Sequence, residues 1–437
     1  MTSTSQEVEL LRKIKELEIE NEKLKNDNSQ LKNQEFSKID DKFSLDEYKR
    51  YGRQMIVPQF GSLDSQMKLS KSKILVVGAG GLGSPALQYL AAAGVGIIGI
   101  IDDDKVDTSN LHRQIIHNTA MVGQYKCDSA KDFIKKLNPH VRVYTCPTKL
   151  TNENAFEIVG NYDLVLDCTD HPAIRYLIND VCVILGKTIV SGSGLKADGQ
   201  FTVLNFENFG PCYRCFYPQP PSPSSVTSCS DGGVIGPAIG LVGVSMAMET
   251  IKILTGYYKK DNFQPFLASY SAYPNQQIRT FKMRPRQRNC LVCGEHRSIT
   301  KEQIENGDIN YVEFCGKVVQ EPIDDKYRIS VTDYYELIED NYDHTLIDVR
   351  PKEQFNITNL PNSINIEWDP AFRKLESLDD YIDNTDKTSE IYLVCRFGND
   401  SQLAAKKLID MGYKNVKELK GGLNKWTDEI DPTIPKY

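Results

Sequence analysis

The stretch that most restricts how this chain can fold runs from Lys73 to Arg113, KILVVGAGGLGSPALQYLAAAGVGIIGIIDDDKVDTSNLHR. Residues 74–101 carry no charged side chain and are long enough to cross a bilayer. Their glycines and two separate β-branched runs fit a buried strand–helix–strand unit better. The spacing predicts a strand over 74–77, a helix over 84–93 and a second strand over 96–101 that ends at Asp102. Gly78, Gly80 and Gly83 fall between the first strand and the helix, where backbone N–H groups and a helix N-terminus can receive phosphates. An acid just past the second strand can accept hydrogen bonds from ribose hydroxyls. The plainer alternative is a βαβ core whose glycines serve only close packing.

Hydride transfer to a dinucleotide needs few cations beside the pyrophosphate, whereas cleaving a triphosphate needs several to hold charge on the leaving group. Here Ser109, Asn110, Leu111, His112 and Arg113 follow Asp102 closely, and Lys126 comes soon after. GAGGLG, IDDD, SNLHRQ and the following lysine resemble the MoeB/ThiF adenylyltransferases, relatives of ubiquitin-activating enzymes. The resemblance implies a Rossmann-like α/β domain in which Gly81 and Asp102 hold the nucleotide of ATP. Ser109, Asn110, Leu111, His112, Arg113 and Lys126 would then hold its phosphates. It also implies a homodimer, because the RYGRQ run at 50–54 matches an entry that carries an arginine, here Arg53, into the neighbouring subunit's site. A guanidinium suits that task through bidentate contact with phosphate oxygens.

The YDLVLD run at 162–167 reads as another buried strand, and Asp170 just beyond it faces the ligand crevice of a parallel sheet. By resemblance Asp170 helps hold Mg²⁺ on ATP. The family usually has Asn at the next position, where this chain has His171. A turn or helix cap before Pro172 is the structural alternative for Asp170.

With 437 residues, 40% of them hydrophobic, the chain can bury two cores. A net charge of −7 leaves no electrostatic footprint for direct nucleic-acid binding. The N-terminus is charged rather than apolar, so no signal peptide or membrane anchor is expected. Eleven cysteines in a large chain without a leader point to metal and thiol chemistry in a reducing cytosol rather than to disulfides.

Leu10, Leu17, Leu24 and Leu31 recur at seven-residue spacing, with Ile14, Asn21 and Asn28 between them. This pattern predicts a parallel coiled-coil segment over 1–40, the alternative being a solvated, partly helical tail. The adenylyltransferase-like domain is expected over 41–298. Within it, Cys212-x-x-Cys215 and Cys290-x-x-Cys293 supply four thiolates for a closed, structural Zn²⁺ site tying distant segments together. The Pro/Ser-rich run 217–229 should be an irregular surface loop ending at Cys229. Spacing alone leaves Cys229 a spare thiol or a nucleophile. The resemblance assigns it the covalent bond to the bound partner's C-terminus.

Residues 299–328 lack periodicity and are expected to form a linker. Over 329–437 a second α/β pattern begins, with a strand ending in Asp348-Val349-Arg350 and a buried strand over 391–394 running into CRFGNDS, 395–401. A cysteine at a strand-to-helix turn gathers N–H groups around its sulfur and should favour an anionic form. A Cys-based phosphatase would need Arg at position 401, which is Ser here. These features resemble a rhodanese domain with Cys395 as the persulfide carrier. Asp400 should repel small anionic donors. Asp400→Arg is therefore expected to raise thiosulfate activity, and an unchanged thiosulfate assay would refute the repulsion.

The two resemblances together imply a fused adenylyltransferase and sulfurtransferase of molybdenum cofactor synthesis and tRNA thiolation. The implied partners are ubiquitin-like sulfur carriers ending in Gly-Gly (the small molybdopterin synthase subunit and an Urm-type protein) and a cysteine desulfurase as donor. The closest alternative is an activating enzyme for protein conjugation working through a Cys229 thioester. A dinucleotide oxidoreductase and a non-catalytic scaffold are the remaining rivals.

Overall fold

The structure, a computed structural model, describes residues 42–220, 232–315, 323–378 and 386–437, together with Lys13 and residues 381–382. The expected coiled coil lies outside the described residues. The chain divides into two compact units, the division falling between residues 316 and 317.

The first unit is built on an eight-stranded sheet. Its strands are β1 (Lys73–Val77), β2 (Ile97–Ile101), β3 (Arg142–Cys146), β4 (Leu164–Asp167), β5 (Thr188–Leu195), β6 (Asp198–Leu204), β7 (Phe266–Ser271) and β8 (Gln277–Lys282), in the order β3-β2-β1-β4-β5-β6-β7-β8. The first five in that order are parallel, and β6 to β8 extend the sheet antiparallel. Strands β1, β2 and β4 are rich in Val, Ile and Leu and buried almost throughout, because helices cover both faces. One face packs helices Gly83–Ala93, Lys126–Leu137 and Gly236–Thr255 through Leu87, Leu90, Ile134, Val242 and Met246. The other packs helices Ala155–Gly160 and Pro172–Ile184 through Phe156, Val159, Tyr176 and Val181. Strand order runs outward in opposite directions from β1 and β4, so their carboxyl ends open a crevice.

Gly83 is required by close approach: a Cβ there would sit 2.0 Å from the Gly78 carbonyl oxygen. Helix Leu45–Met55 starts with a capping box, Ser44 Oγ accepting from the Glu47 N–H while Glu47 accepts from the Ser44 N–H. It is pinned to the core where Gln54 Nε2 donates to the Ala93 carbonyl (2.8 Å) and Asn138 Nδ2 to the Tyr51 hydroxyl (2.8 Å). Helix Gly236–Thr255 is apolar enough to cross a membrane by length and composition, with mean hydropathy 1.5, but half of it is buried against the sheet and helix Gly83–Ala93.

The linker expectation over 299–328 is corrected. Residues 299–315 belong to the first unit, forming helices Lys301–Glu305 and Tyr311–Phe314 whose Ile304, Tyr311 and Cys315 enter its core. The reason is a buried ion pair without periodic signature. Arg214 clasps Asp180 with Nε–Oδ1 and Nη2–Oδ2 both at 2.8 Å, and the Tyr311 hydroxyl donates to the same carboxylate at 2.9 Å. The Arg214 guanidinium also lies against the Tyr176 and Phe314 rings, 4.8 and 4.9 Å from their centroids. Arg214→Leu leaves Asp180 buried without its cation, and a loss of about 3–5 kcal/mol in urea unfolding is expected.

The second unit is a parallel five-stranded sheet of β9 (Arg328–Ile329), β10 (Thr345–Asp348), β11 (Ser363–Asn365), β12 (Glu390–Val394) and β13 (Asn415–Leu419), in the order β11-β10-β12-β13-β9. Central β12 feeds Cys395 and then helix Asp400–Asp410. Arg350 is buried against Asp348 (Nε–Oδ1 2.9 Å), donates to the Thr358 carbonyl (2.7 Å) and meets the hydroxyl of the last residue, Tyr437 (2.6 Å). The D-V-R signal is thus a structural clasp.

Candidate active site

The crevice at the ends of β1, β2 and β4 is a cavity of about 1100 Å³. Gly78, Gly80, Gly81, Asp102, Arg113, Lys126, Asp170 and His171 all line it. The Asp102 carboxylate fastens the glycine turn to β2, accepting from the Ala79 N–H (2.7 Å) and the Asp104 N–H (2.9 Å). Burial pushes its pKa up, against the opposing pull of Lys126 and those two N–H groups. Lys126 reaches Asp104 at 2.8 Å, the lysine side chain 8% exposed and the aspartate 65%. Such a half-solvated pair is weak and releases its cation readily to a stronger anion.

Sequence reasoning missed three neighbours of this cavity. Arg175 donates to the Thr169 carbonyl, to the Gly192 carbonyl (2.7 Å) and, at 3.5 Å, to Ser191 Oγ, holding the loop that carries Asp170. Asp167 anchors that loop from below, accepting from Thr169 Oγ1 (2.7 Å) and Ser191 Oγ (2.8 Å). His117 is buried between the Ala79 carbonyl (Nε2, 3.0 Å) and Ser129 Oγ (Nδ1, 2.9 Å), so it too holds the glycine turn. Position four after His171, in the DHPAIR run, was the legible signal for Arg175. Nothing in the sequence distinguished His117.

Burial lowers the His117 pKa from 6.5 to about 4. The unfolded chain therefore takes up this proton first, and stability falls as pH drops from about 6.5 towards about 4. The bound on this effect is about 3 kcal/mol. Urea midpoints from pH 7 to pH 4.5 should show a shallower acid slope for His117→Gln than for the unaltered chain.

Of the other nucleotide-binding expectations, Arg113 lines the cavity together with Gln114, and Ser109, Asn110, Leu111 and His112 precede them directly in the chain. A short 3-10 turn, Thr108–Asn110, opens this segment. Ser109 and His112 brace Arg113, whose Nη1 meets the Ser109 carbonyl (2.9 Å) and the His112 ring (2.7 Å). His171 uses Nδ1 to accept from the Ala173 N–H (3.3 Å), capping helix Pro172–Ile184. Arg53 is exposed and does not line its own chain's cavity.

Cys212, Cys215, Cys290 and Cys293 converge, with sulfur–sulfur separations of 3.8, 3.6 and 3.4 Å for the pairs 212–215, 212–290 and 215–293. A tetrahedral tetrathiolate has edges of about 3.8 Å, so the four sulfurs could hold a metal ion. Cys229, Ser230 and Asp231 lie outside the described residues.

In the second unit the Cys395 side chain is almost wholly buried, its residue 2% exposed. Its Sγ receives the Gly398 N–H at 3.1 Å and meets Ser401 Oγ at 3.3 Å. Gly422 must be glycine, because a Cβ there would lie 2.2 Å from the Cys395 carbonyl oxygen. Burial is the largest influence and pushes the thiol up, outweighing the N–H and hydroxyl contacts, and Asp400 adds to the rise. The N–H contact suits an anion on Sγ or on a sulfur bonded beyond it, a thiolate or a persulfide.

A switch-point cavity with a glycine turn and cations, in one chain with a strand–cysteine–helix loop, defines a nucleotide-dependent activating domain joined to a sulfur-handling domain. The ThiF family model matches residues 51–292 and the Rhodanese-like domain model residues 330–429. The chain is 69% identical over 439 residues to "Adenylyltransferase and sulfurtransferase UBA4" of Candida albicans, all of both chains being covered. It is 62% identical over 458 residues to the protein of that name from Lodderomyces elongisporus, again with full coverage of both. Among solved structures, Escherichia coli MccB with ATP is 22% identical, with a TM-score of 0.48, covering 56% of this chain and 73% of that one. The chain belongs to the ThiF family and, along its whole length, to the UBA4 adenylyltransferases and sulfurtransferases; it is an enzyme with both activities.

Proposed function

We propose that this enzyme adenylates the C-terminal Gly-Gly carboxylate of a ubiquitin-like sulfur carrier and then converts it to a thiocarboxylate. The observation that carries the reading is the convergence of the glycine turn, Asp102, Arg113, Lys126 and Asp170 on one cavity, in a chain that also buries Cys395 at a rhodanese loop. A carboxylate is a poor electrophile, and a mixed anhydride with AMP makes its carbonyl attackable. Gly81 and Asp102 position the nucleotide, while Arg113 and Lys126 take the charge that develops on departing pyrophosphate. Asp170 would hold Mg²⁺, which supplies further neutralisation of the phosphates. Ser109, Asn110, Leu111 and His112 hold the phosphates with Arg113, and Ser109 and His112 also brace its guanidinium.

Cys395 then carries the persulfide whose terminal sulfur attacks the adenylate, with a cysteine desulfurase as donor. That attack expels AMP and leaves the carrier joined to Cys395 through an acyl disulfide; the Cys229 thiolate then attacks the Cys395 sulfur, so that a Cys229–Cys395 disulfide forms and the thiocarboxylate leaves. The four knuckle cysteines would hold Zn²⁺, closing the site structurally because no ligand position remains free.

The enzyme works as a homodimer in which Arg53 reaches the other subunit's cavity. Supporting this, Arg53 is exposed and does not line its own cavity, and Ile56 just past its helix, Tyr89 on helix Gly83–Ala93, and Val244 and Met248 on helix Gly236–Thr255 are exposed apolar side chains. The carriers are an Urm-type protein and the small molybdopterin synthase subunit, serving tRNA 2-thiolation and molybdenum cofactor synthesis in the cytosol. ATP–pyrophosphate exchange that depends on an intact Gly-Gly carrier, followed by mass spectrometry of the carrier's terminus, tests the reading. Exchange without any carrier requirement, or an unsulfurated carrier in the presence of ATP and donor, overturns it.

A further inference from the structure

Behind Cys395 lies a chain of polar groups that the adenylation and persulfide scheme does not use. Ser401 Oγ, fully buried, is 3.3 Å from Cys395 Sγ and donates to Glu418 Oε2 at 3.1 Å. Glu418 sits on β13 with 0% exposure, beside β12 in register with Leu393, and its other oxygen pairs with Arg328 of β9. A carboxylate buried in a sheet at the reacting cysteine is costly, and one salt bridge at its far end leaves the near oxygen aimed at Ser401.

The proton count gives this arrangement a direction. A serine hydroxyl has one proton, and here it points to Glu418. With the serine proton on Glu418, the Cys395 S–H is the donor left to fill the 3.3 Å contact with Ser401 Oγ. Moving the thiol proton to Ser401 while the serine proton passes to Glu418 leaves Cys395 as a thiolate and Glu418 neutral. No water need enter a pocket that keeps Cys395 only 2% exposed.

We propose that Ser401 and Glu418 form an inward proton relay that deprotonates Cys395 when sulfur is loaded, with Glu418 acting as a positioning residue through Ser401. The proposal rests on Cys395 being the sulfur carrier. With thiosulfate as donor, the Cys395 lone pair forms a bond to the outer sulfur. The bond from that sulfur to the sulfonate sulfur breaks, its electron pair leaves with sulfite, and the Cys395 proton ends on Glu418. Burial raises the Glu418 pKa and so favours its taking a proton, against Arg328, which opposes the rise. The charged groups around the relay are Arg328 on β9, Lys420 at the end of β13 (itself paired with Asp325 at 2.6 Å) and Asp400 at the head of the helix that carries Ser401.

Single-turnover loading of the full-length enzyme with thiosulfate, whose charge is constant from pH 6 to 9, tests the relay; Cys395 persulfide is read by mass spectrometry of the alkylated peptide. An internal acceptor makes the loading rate nearly independent of pH over this range. In Glu418→Gln the proton must leave to solvent, so the rate should rise about tenfold per pH unit and approach the unaltered enzyme's at the alkaline end. Ser401→Ala keeps the Arg328–Glu418 pair and should show the same slope, which separates the relay from a loss of folding. Flat profiles in both variants, or an equal loss at every pH, overturn the relay. Absence of any Cys395 persulfide in the unaltered enzyme with both thiosulfate and a cysteine desulfurase supplied with cysteine overturns instead the assignment of Cys395 as carrier, and the relay with it.

Discussion

Cys395→Ala is expected to abolish thiocarboxylate formation, by at least about a thousandfold, while leaving ATP–pyrophosphate exchange within about twofold of the unaltered enzyme's. The separation follows from the construction of the chain. Cys395 belongs to its own hydrophobic core, built from β10, β12 and their helices, and shares no core residue with the first unit. Removing its sulfur creates a cavity of only one atom beside Ser401, so the domain should keep its fold. Two measurements on one preparation check this: carrier-dependent exchange with radiolabelled pyrophosphate, and mass spectrometry of the carrier after incubation with ATP and donor. Residual thiocarboxylate at the unaltered level would mean that another thiol delivers the sulfur.

Lys126→Ala is expected to lower carrier-dependent exchange by about a hundredfold to a thousandfold, with most of the loss in kcat. Lys126 pairs with Asp104 at 2.8 Å, and Asp104 is largely solvated. Deleting the cation leaves Asp104 to solvent, and Asp102, which loses the pull of Lys126, keeps its two N–H donors, so the thermal midpoint should fall only slightly. That distinguishes Lys126 from Asp102, whose carboxylate also ties the Ala79 and Asp104 N–H groups. Asp102→Ala would lose turn geometry together with any contact to ribose, and its effect would be a mixture. Exchange by Lys126→Ala at the unaltered rate would remove this lysine from the phosphate site.

The glycine turn, the strand before it and the acid after β2 were legible because each is a local demand. Gly83 is dictated by a carbonyl five residues away in sequence, and β1 by an unbroken run of aliphatic residues, three of the four β-branched. The second unit was legible for the same reason: a buried strand, a cysteine and a helix follow one another without interruption. What escaped depends on groups far apart in the chain. Asp180, Arg214 and Tyr311 span more than a hundred residues, and no periodicity announces that they share one buried charge. For that reason residues 299–315 passed for a linker. His117 escaped likewise, its partners lying at Ala79 and Ser129.

The N–H groups that converge on Cys395 were legible in local order, since a strand, a cysteine and a helix follow one another, while the almost complete burial of its sulfur came only with the packed fold.

The amino-acid order alone determined the two α/β units, the phosphate-receiving turn, the four knuckle cysteines and the reactive cysteine loop, since each is written in neighbouring residues and their steric requirements. Tertiary structure alone decided which charges are buried, which cations reach the cavity and what stands behind Cys395. Those outcomes depend on desolvation and on partners brought from distant strands, and desolvation is a property of the packed molecule rather than of any segment.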